Sequence, residues 1–381
     1  MITLEQRTIT ARPTREHWLD RIHELGGEFE QRAADHDRDD SFVTENYAAL
    51  KRHGFFGAAV PEGLGGGGVT HSEMCEVLRT LAQYCSSTAL ASSMHQHLVA
   101  ATVWRFNRGQ GGEPLLRNVA AKQPILVSTG ANDWLESSGE AVRTVGGYRV
   151  KAMKPFASQS AAGDVLVTSA PYHDPVAGWQ VLHFPVPMNA SGVNVLNDWR
   201  ALGMRGTGSH TVRLDGVFVP ESSITLRRPR GVFHPVFNLV ITAALPLIMS
   251  VYAGIARKAA RIAIEAARRQ KQPKPHLAGA VGSMMNELTS AELHLKDMIR
   301  LANDLDVEPD NQVGQDMLSR KTNTTNACIA VVTKAMEIAG GQGYYRCFGL
   351  ERLFRDVQAA KYHPLPQPEQ QQSFGEYLLR Q

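Results

Sequence analysis

Two histidines and a cluster of glycines are the residues of this chain best suited to chemistry. His95 lies in the run S-S-M-H-Q-H, and His363 lies in Y-H-P-L-P. Histidine has an unperturbed pKa of about 6.5, which suits proton transfer near neutral pH. Gly340, Gly341 and Gly343 lack a Cβ atom, so they allow positive φ and let backbone N–H groups approach a ligand closely. These residues predict a proton-handling site and a turn that cradles a phosphate or a flavin.

The glycines belong to a longer pattern that runs from Glu337 to Asp356, E-I-A-G-G-Q-G-Y-Y-R-C-F-G-L-E-R-L-F-R-D. An acid, a Gly-Gly pair, a Gly-aromatic pair, a basic residue and a final acid follow one another at fixed intervals. This spacing resembles the C-terminal signature of the acyl-CoA dehydrogenase superfamily, with Cys347 standing where the family usually has an acid or an amide. The resemblance implies a flavoenzyme in which this turn serves the flavin of a neighbouring subunit.

The resembled dehydrogenases carry a catalytic glutamate at one of two positions, and this chain has neither. Counting from Arg355, the first position holds Pro364. Aligning the family's Gly-Leu-Ala with residues 254–256 puts Ala244 at the second. Removal of the α-proton of an acyl-CoA needs a positioned base of matched pKa, whereas oxygen activation by a reduced flavin needs no carboxylate. The sequence therefore favours a monooxygenase over a dehydrogenase.

The candidate catalytic set consists of His363, His95 and Ser158, the last in the run K-P-F-A-S-Q-S. Arg355-Asp356 followed by His363 is similar to the C-terminal pattern of the superfamily's monooxygenase branch, which includes dibenzothiophene monooxygenase and p-hydroxyphenylacetate hydroxylase. The resemblance implies that polar groups near the flavin, His363 above all, replace the missing carboxylate. The alternative is that His95 caps a polar spot in the core and that His363 belongs to a turn.

The resemblance also implies which residues hold the flavin. Ser128, Thr129 and Ser158 fall where family members contact the ring, although V-S-T-G-A-N-D-W replaces the usual Thr-Glu-Pro and Gly-Ser-Asp pattern. Their alternative role is that of surface turn hydroxyls. Where the family has an arginine that reaches a pyrophosphate, this chain has Gln270, with Arg269 beside it. The cofactor is therefore expected to be FAD, with FMN left open.

Composition limits the classes of function. A chain of 381 residues is expected to form two or three domains, and a net charge of +3 with scattered basic residues argues against a nucleic-acid binder. The four cysteines show no CxxC pairing, which is typical of free thiols in a reducing compartment. The start M-I-T-L-E-Q-R lacks the apolar core of a signal peptide, so a cytoplasmic location is expected.

The pattern of apolar and polar residues changes twice along the sequence, and these changes predict three domains. A helical pattern extends to about Arg117, short β runs extend from about Pro124 to Leu226, and helical patterns then return. With the resemblance, this order predicts a mainly α fold: a helical domain at 1–122, a middle β-barrel at 123–228 and a C-terminal four-helix bundle at 229–381. The uncharged run between Arg230 and Arg257 is long enough to span a bilayer, but its polar residues favour a buried bundle helix.

Local signals predict where individual elements end. Thr70 is expected to cap one helix and Gly54 to terminate another, while Gly146 and Gly147 predict a hairpin turn. From Leu277, apolar or small residues recur at three- and four-residue steps, which predicts the seam of an antiparallel bundle. The other members of this seam are Val281, Met284, Leu288, Ala291, Leu295 and Met298.

These patterns together predict a flavin-dependent monooxygenase that acts on a small or aromatic molecule, receives reduced flavin from a partner reductase and forms a homotetramer or a dimer. The first alternative is an acyl-CoA dehydrogenase with a displaced base. The second is a non-catalytic protein that retains the fold for binding. Nothing in the sequence specifies the substrate.

Overall fold

The computed structural model describes residues 15–130, 133–269 and 275–380. The first part is helical and consists of α1 (Arg15–Asp39), α2 (Thr44–Arg52), α3 (His71–Leu81), α4 (Ser86–Asn107) and α5 (Glu113–Lys122). Trp18, Phe29, Phe55 and other buried apolar residues of this part join a core that is continuous with the C-terminal helices. The two helical parts therefore pack as one body around shared apolar faces.

Two of the predicted helix ends are confirmed. Thr70 caps α3, because its hydroxyl accepts a hydrogen bond from the Glu73 N–H and its own N–H donates to the Glu73 carboxylate. This reciprocal arrangement satisfies two backbone donors at the start of the helix. Gly54 follows the end of α2 with φ of 81°, a conformation that glycine adopts without steric cost.

The middle part forms one eight-stranded sheet. Its strands are β1 (Leu126–Ser128), β2 (Glu140–Thr144), β3 (Gly147–Lys154), β4 (Val165–Asp174), β5 (Gly178–Pro187), β6 (Val193–Val195), β7 (Val212–Pro220) and β8 (Leu226–Pro229). The order is β6-β7-β3-β2-β4-β5-β8, with β1 beside β4. Most neighbouring strands pair antiparallel, but β1 and β2 both run parallel to β4. The tight turn between β2 and β3 consists of Val145 and Gly146, one residue earlier than predicted.

The last part is helical and consists of α6 (Val236–Arg268), α7 (Leu277–Ala302), α8 (Asn311–Ala339), α9 (Leu350–Val357) and α10 (Gln367–Leu379). The predicted seam of α7 is buried at every position except Val281, which is partly exposed. Short α10 packs on α8, where the Thr322 hydroxyl bonds to the side chain of Gln370 at 3.0 Å. The order of helices, sheet and helices confirms the predicted mainly α fold.

Helix α6 runs through the centre of the bundle. It is long and apolar enough to cross a membrane by composition, yet 94% of its most apolar window is buried inside the protein. Tyr252, Ile255 and Ala256 are fully enclosed. The hydrophobicity of α6 is therefore explained by neighbours on all sides, as predicted for a core helix.

Candidate active site

The candidate hydroxyls of the middle domain lie at the end of β1 and in the loop after β3. The Ser158 hydroxyl lies 2.8 Å from that of Ser209, which in turn lies 2.7 Å from that of Thr207. Gln159 donates to the Leu126 carbonyl at 2.8 Å, so the loop that carries Ser158 is tied to β1. The Thr207 hydroxyl donates to the Met204 carbonyl at 2.8 Å, so Ser209 donates to Thr207 and Ser158 donates to Ser209. The Ser158 oxygen keeps the capacity to accept a hydrogen bond.

The loop that carries Ser158 has a special backbone. Phe156 and Gln159 have φ of 58° and 59°, values that residues other than glycine rarely adopt. Gln159 is completely buried and accepts a hydrogen bond from the Tyr47 hydroxyl at 2.7 Å, so the surrounding structure fixes this conformation. Such positions persist where a loop must hold a side chain in one orientation, and they are common at binding sites.

The segment after Thr129 is anchored by a buried ion pair that the sequence analysis did not single out. Lys154 donates to the carboxylate of Asp133 at 2.9 and 3.0 Å, and its side chain is only 1% exposed. Burial lowers the pKa of Lys154, while the Asp133 charge opposes that shift. The next residue, Trp134, stacks on Phe237 of α6 with 5.1 Å between ring centroids. The ion pair and the stack therefore fix Asp133 and Trp134 against β3 and α6.

His363 lies just before α10 and contacts the middle of α6. Its Nε2 atom lies 2.6 Å from the Tyr252 hydroxyl. Burial lowers the pKa of His363 to about 3, and a smaller contribution comes from the nearby charge of Lys321. Burial also raises the pKa of Tyr252 well above its usual value. Both side chains are therefore neutral at physiological pH, and His363 is a hydrogen-bonding group rather than a charged acid.

Neither family position for a catalytic glutamate is compensated by the local structure. Ala244 is buried on α6 and presents a methyl group, and Pro364 directly follows His363. The carboxylate of Asp356, in the same part of the chain, has both oxygens engaged, by the Met204 N–H at 2.6 Å and by the Ser86 hydroxyl. Because both oxygens are already hydrogen-bonded, this carboxylate has a structural role and is not available as a base.

His95 has a different environment from His363. Its Nε2 atom lies 2.8 Å from the Phe56 carbonyl, which can only accept, so Nε2 carries the proton. Its Nδ1 atom accepts from the Leu126 N–H at 3.1 Å. The ring is completely buried, and burial lowers its pKa to about 4. Because both nitrogens are used, the geometry gives His95 a positioning role at the start of β1 and not the proton transfer that was expected from sequence.

The Arg355-Asp356 pair connects all three parts of the chain. Arg355 forms a bidentate ion pair with Asp37 of α1 at 2.6 and 2.8 Å. Asp356 binds Ser86 at the start of α4 and the backbone of Met204 in the middle domain. The approach is so close that a Cβ on Gly203 would lie 2.4 Å from the Arg355 backbone. Sequence comparison identifies this pair as part of a signature, and the structure shows that it is an interdomain clamp.

The glycine turn lies at the surface. Gly340 has φ of 64°, and a Cβ on Gly340 or Gly341 would meet no atom within 4 Å. Gly343 differs, because its Cβ would lie 3.2 Å from that of Ala339. The neighbouring Tyr344 and Tyr345 are 84% and 68% exposed. Packing within the subunit therefore does not explain why residues 340 and 341 lack side chains, and the open space leaves room for a ligand or for another subunit.

Arg269, at the end of α6, lies on the same cavity as this turn. The cavity has a volume of 770 Å³ and is lined by Gln342, Arg261 and Lys258 as well as Arg269. Among the described residues the Arg269 guanidinium has no ion-pair partner, whereas Lys258 is paired with Glu30 at 2.5 Å. Gln270 lies outside the described residues. An unpaired guanidinium beside an open glycine turn fits the phosphate of a flavin.

The predicted site residues thus form separate groups within one subunit. Ser128, Thr129 and Ser158 lie on the middle domain, and His363 lies with Tyr252 in the bundle. The glycine turn and Arg269 share a third region, whose lining contains no residue of the sheet. Tyr252 was not singled out from the sequence, because its partner is 111 residues away and no local pattern marks it.

Comparison with known proteins defines the class. The N-terminal and C-terminal domain models of acyl-CoA dehydrogenase match residues 17–121 and 247–368, which together make up more than half of the chain. A crystal structure of KijD3 in complex with FMN and an amino-sugar nucleotide has a TM-score of 0.86 at 24% identity, and the match covers 97% of this chain and 94% of that one. The chain belongs to the acyl-CoA dehydrogenase superfamily and is a flavin-dependent oxidoreductase.

The relatives span different reactions. A putative acyl-CoA dehydrogenase of Bacillus subtilis is 27% identical, covering 91% of this chain and 92% of the relative. An amino sugar nitrososynthase of Streptomyces peucetius is also 27% identical, with 92% and 90% covered. Dibenzothiophene monooxygenase of Mycolicibacterium goodii is 25% identical, with 100% and 98% covered. The superfamily predicted from sequence is confirmed, and its relatives include members of the monooxygenase branch as well as a putative dehydrogenase.

Proposed function

We propose that this protein is the oxygenase component of a two-component flavin monooxygenase, which receives reduced flavin from a partner reductase and oxygenates a small or aromatic molecule. The observation that carries the proposal is the neutral Tyr252–His363 pair directly before Pro364, which stands at one position where the resembled dehydrogenases have a carboxylate. Ala244 at the other position cannot accept a proton. Proton abstraction next to a thioester needs such a base, and the site lacks one at both positions.

The chain's own residues have defined tasks in this proposal. Bound reduced flavin would supply the electrons that activate O2. Ser158, which donates to Ser209, offers a hydroxyl oxygen from the middle domain that can accept a hydrogen bond. His363, oriented by Tyr252, offers a neutral hydrogen-bonding group from the bundle. A fixed donor at such a position stabilises developing negative charge without reorganising during the reaction. Trp134, stacked on Phe237, contributes apolar surface that excludes water.

We propose FMN rather than FAD as the cofactor, although FAD was the expectation from sequence. Arg269 supplies one cationic group beside the glycine turn, which suits a single phosphate. The structural neighbour described above holds FMN. Calorimetric titration of the flavin-free protein measures this preference directly. Tighter binding of FMN than of FAD supports the proposal, and the reverse order contradicts it.

We also propose that the complete site needs an oligomer, such as the homotetramer predicted from sequence. The exposed glycine turn and the exposed Tyr344 and Tyr345 are not covered within the subunit. The turn then completes a flavin site on a neighbouring copy. Light scattering on the flavin-loaded protein tests this arrangement. A flavin-loaded monomer would overturn it.

The two chemistries are separated by one anaerobic experiment. Flavin-loaded protein is mixed with acyl-CoA thioesters of different chain lengths in the absence of O2, and the flavin absorbance is followed. A monooxygenase leaves the oxidised flavin unchanged, because it takes electrons from a reductase. Rapid bleaching with formation of an enoyl-CoA would show that the protein is a dehydrogenase with a displaced base. A protein that binds flavin but reacts neither with acyl-CoA nor, when reduced, with O2 and any substrate fits the non-catalytic alternative.

A further inference from the structure

A second cavity has none of the candidate flavin residues in its described lining. Its volume is 430 Å³, and its walls come from the start of α3, the second half of α4, α6 and the loop after α7. Its lining includes His71, Gln96, Val103, Leu247 and Asp304. A volume of this size is within the range of small-molecule sites. No part of the sheet and no residue of the glycine turn contributes to its described lining.

His71 lines this cavity and carries an unpaired hydrogen-bond acceptor. Its Nε2 atom lies 2.8 Å from the Ala243 carbonyl, which can only accept, so Nε2 carries the proton. The ring is 5% exposed, and burial lowers its pKa, so the histidine is neutral and Nδ1 has a lone pair. This Nδ1 atom is buried and has no hydrogen-bond partner among the described residues. A donor from outside the chain is needed to satisfy it.

Gln96 presents a second acceptor. Its Nε2 atom donates to the Phe55 carbonyl at 3.0 Å, which fixes the orientation of the amide. The Oε1 atom is therefore the free end, and it is buried without a partner in the described part of the chain. The side chain is 1% exposed. Two unpaired buried acceptors in one cavity destabilise the protein when the cavity holds no donor, because each has lost its hydrogen bond to water without gaining another.

The rest of the lining selects the ligand. The carboxylate of Asp304 lies at the exposed edge and receives a hydrogen bond from the Ser72 N–H at 2.7 Å. Glu62 adds a second carboxylate to the lining. Met74, Val103 and Leu247 form an apolar wall. The cavity thus combines neutral acceptors, negative charge and apolar surface, and these features match a donor-rich cation with a short hydrocarbon body.

We propose that this cavity is a ligand site, separate from the flavin site, for a small primary amine in its ammonium form, whose N–H groups are accepted by His71 and Gln96. The ammonium group has three donors and no acceptor, which is the complement of this lining. Asp304 and Glu62 supply the negative potential that attracts it. The hydrocarbon body packs on Val103 and Leu247.

Calorimetric titration with n-butylammonium chloride tests the site, with butyltrimethylammonium chloride as a ligand of equal charge that lacks N–H donors. We expect the primary ammonium to bind at least about tenfold more tightly, since each lost donor leaves an acceptor unpaired. Val103→Phe should abolish binding by filling the cavity. Asp304→Asn keeps the acceptor for Ser72 but removes the charge, so it should weaken binding about 3- to 10-fold.

Asp306→Asn is the matched control, because Asp306 is an exposed acid in the same loop that does not line the cavity. This variant should bind like the wild type. The flavin content of each variant is measured in parallel, and it should not change. The proposal is overturned if the two ammonium ligands bind equally, if no binding is detected at millimolar concentration, or if a crystal soaked with n-butylammonium shows only water at His71 Nδ1 and Gln96 Oε1.

Discussion

His95 and His363 illustrate what single side chains can and cannot do in this protein. Both lie in sequence segments that match the superfamily, but His95 is completely buried whereas His363 is partly buried. Their partners distinguish them: two backbone groups hold His95, whereas one phenol orients His363. A histidine whose two ring nitrogens both bond to the backbone has a structural role. A histidine with a single side-chain partner keeps one ring nitrogen for a hydrogen bond to a ligand. The assignment of chemistry to His363 rests on this difference.

Replacement of His363 tests its role. His363→Ala should lower turnover by about 100- to 10,000-fold, the usual range for a group that handles a proton or a hydrogen bond at the reacting centre. Flavin binding should remain intact, because the glycine turn and Arg269 lie elsewhere. Steady-state kinetics with reduced flavin measure the effect.

Tyr252→Phe is the companion variant, because it removes only the hydrogen bond that orients the ring. It should lower kcat by a smaller factor and leave the flavin affinity unchanged. Equal activity of the wild type and His363→Ala would remove His363 from the mechanism.

The sequence could not have revealed this difference between the histidines. The contacts of His95 come from residues 39 and 31 positions away, and that of His363 from 111 positions away. No local spacing encodes them, because they arise when α4 packs against β1 and when the C-terminal segment packs against α6. Residue type and motif position predicted candidates, and tertiary packing decided their roles.

At the scale of elements, local signals predicted most boundaries. The Thr70 cap and the Gly54 terminus act within a few residues, so the sequence contains the whole signal. The parallel pairing of β1 with β4 has no local signal, since it joins positions that are 39 residues apart, such as Leu126 and Val165. The clamp at Asp356 was visible as a motif, but its purpose depends on partners in two other domains.

Asp356→Asn should weaken this clamp. The amide oxygen still accepts from the Met204 N–H, but the amide nitrogen can only donate, so Ser86 must turn and both bonds lose their charged acceptor. We expect the free energy of unfolding to fall by about 1–3 kcal/mol, since hydrogen bonds to a charged group are stronger than neutral ones. Urea denaturation measures the change.

Asp20→Asn, at an exposed position on α1, is the control and should have no measurable effect. Since the clamp holds the middle domain against both helical parts, Asp356→Asn should also weaken flavin binding. A variant as stable as the wild type would show that the three parts do not depend on Asp356.

At the scale of the whole molecule, the glycine turn is the feature that connects sequence, fold and assembly. Gly341→Val should abolish flavin binding while the subunit folds normally, because the added side chain meets no protein atom within 4 Å of its Cβ. Flavin absorbance and circular dichroism measure the two effects. Gly279→Val, also in open space but on α7, should retain flavin. Full flavin content in folded Gly341→Val would place the cofactor elsewhere.

Several buried histidines make the molecule sensitive to acid. Burial lowers the pKa of His95 and His97 to about 4 and that of His363 to about 3. Between these values and the unfolded value of about 6.5, the unfolded chain binds more protons than the native one. The free energy of unfolding should therefore fall as the pH decreases from 7 to 5, by at most about 2 kcal/mol for each histidine.

Urea denaturation at pH 7, 6 and 5 measures this dependence, in a range where most carboxylates do not yet titrate. Between pH 7 and 8 stability should be nearly constant, because these histidines are neutral in both states. A free energy of unfolding that does not change from pH 7 to 5 would show that the three rings are not desolvated in the native protein.

Oxygen labelling distinguishes oxygenation of a substrate from dehydrogenation of an acyl-CoA. The protein is supplied with FMN that a reductase reduces with NADH, under ¹⁸O2, together with small sulfur, nitrogen and aromatic compounds, and the products are analysed by mass spectrometry. The proposed function predicts a product that carries one ¹⁸O atom, and its yield should fall about 100-fold or more in His363→Ala. Unlabelled compounds throughout, together with conversion of an acyl-CoA to its enoyl-CoA by the same preparation, would contradict it.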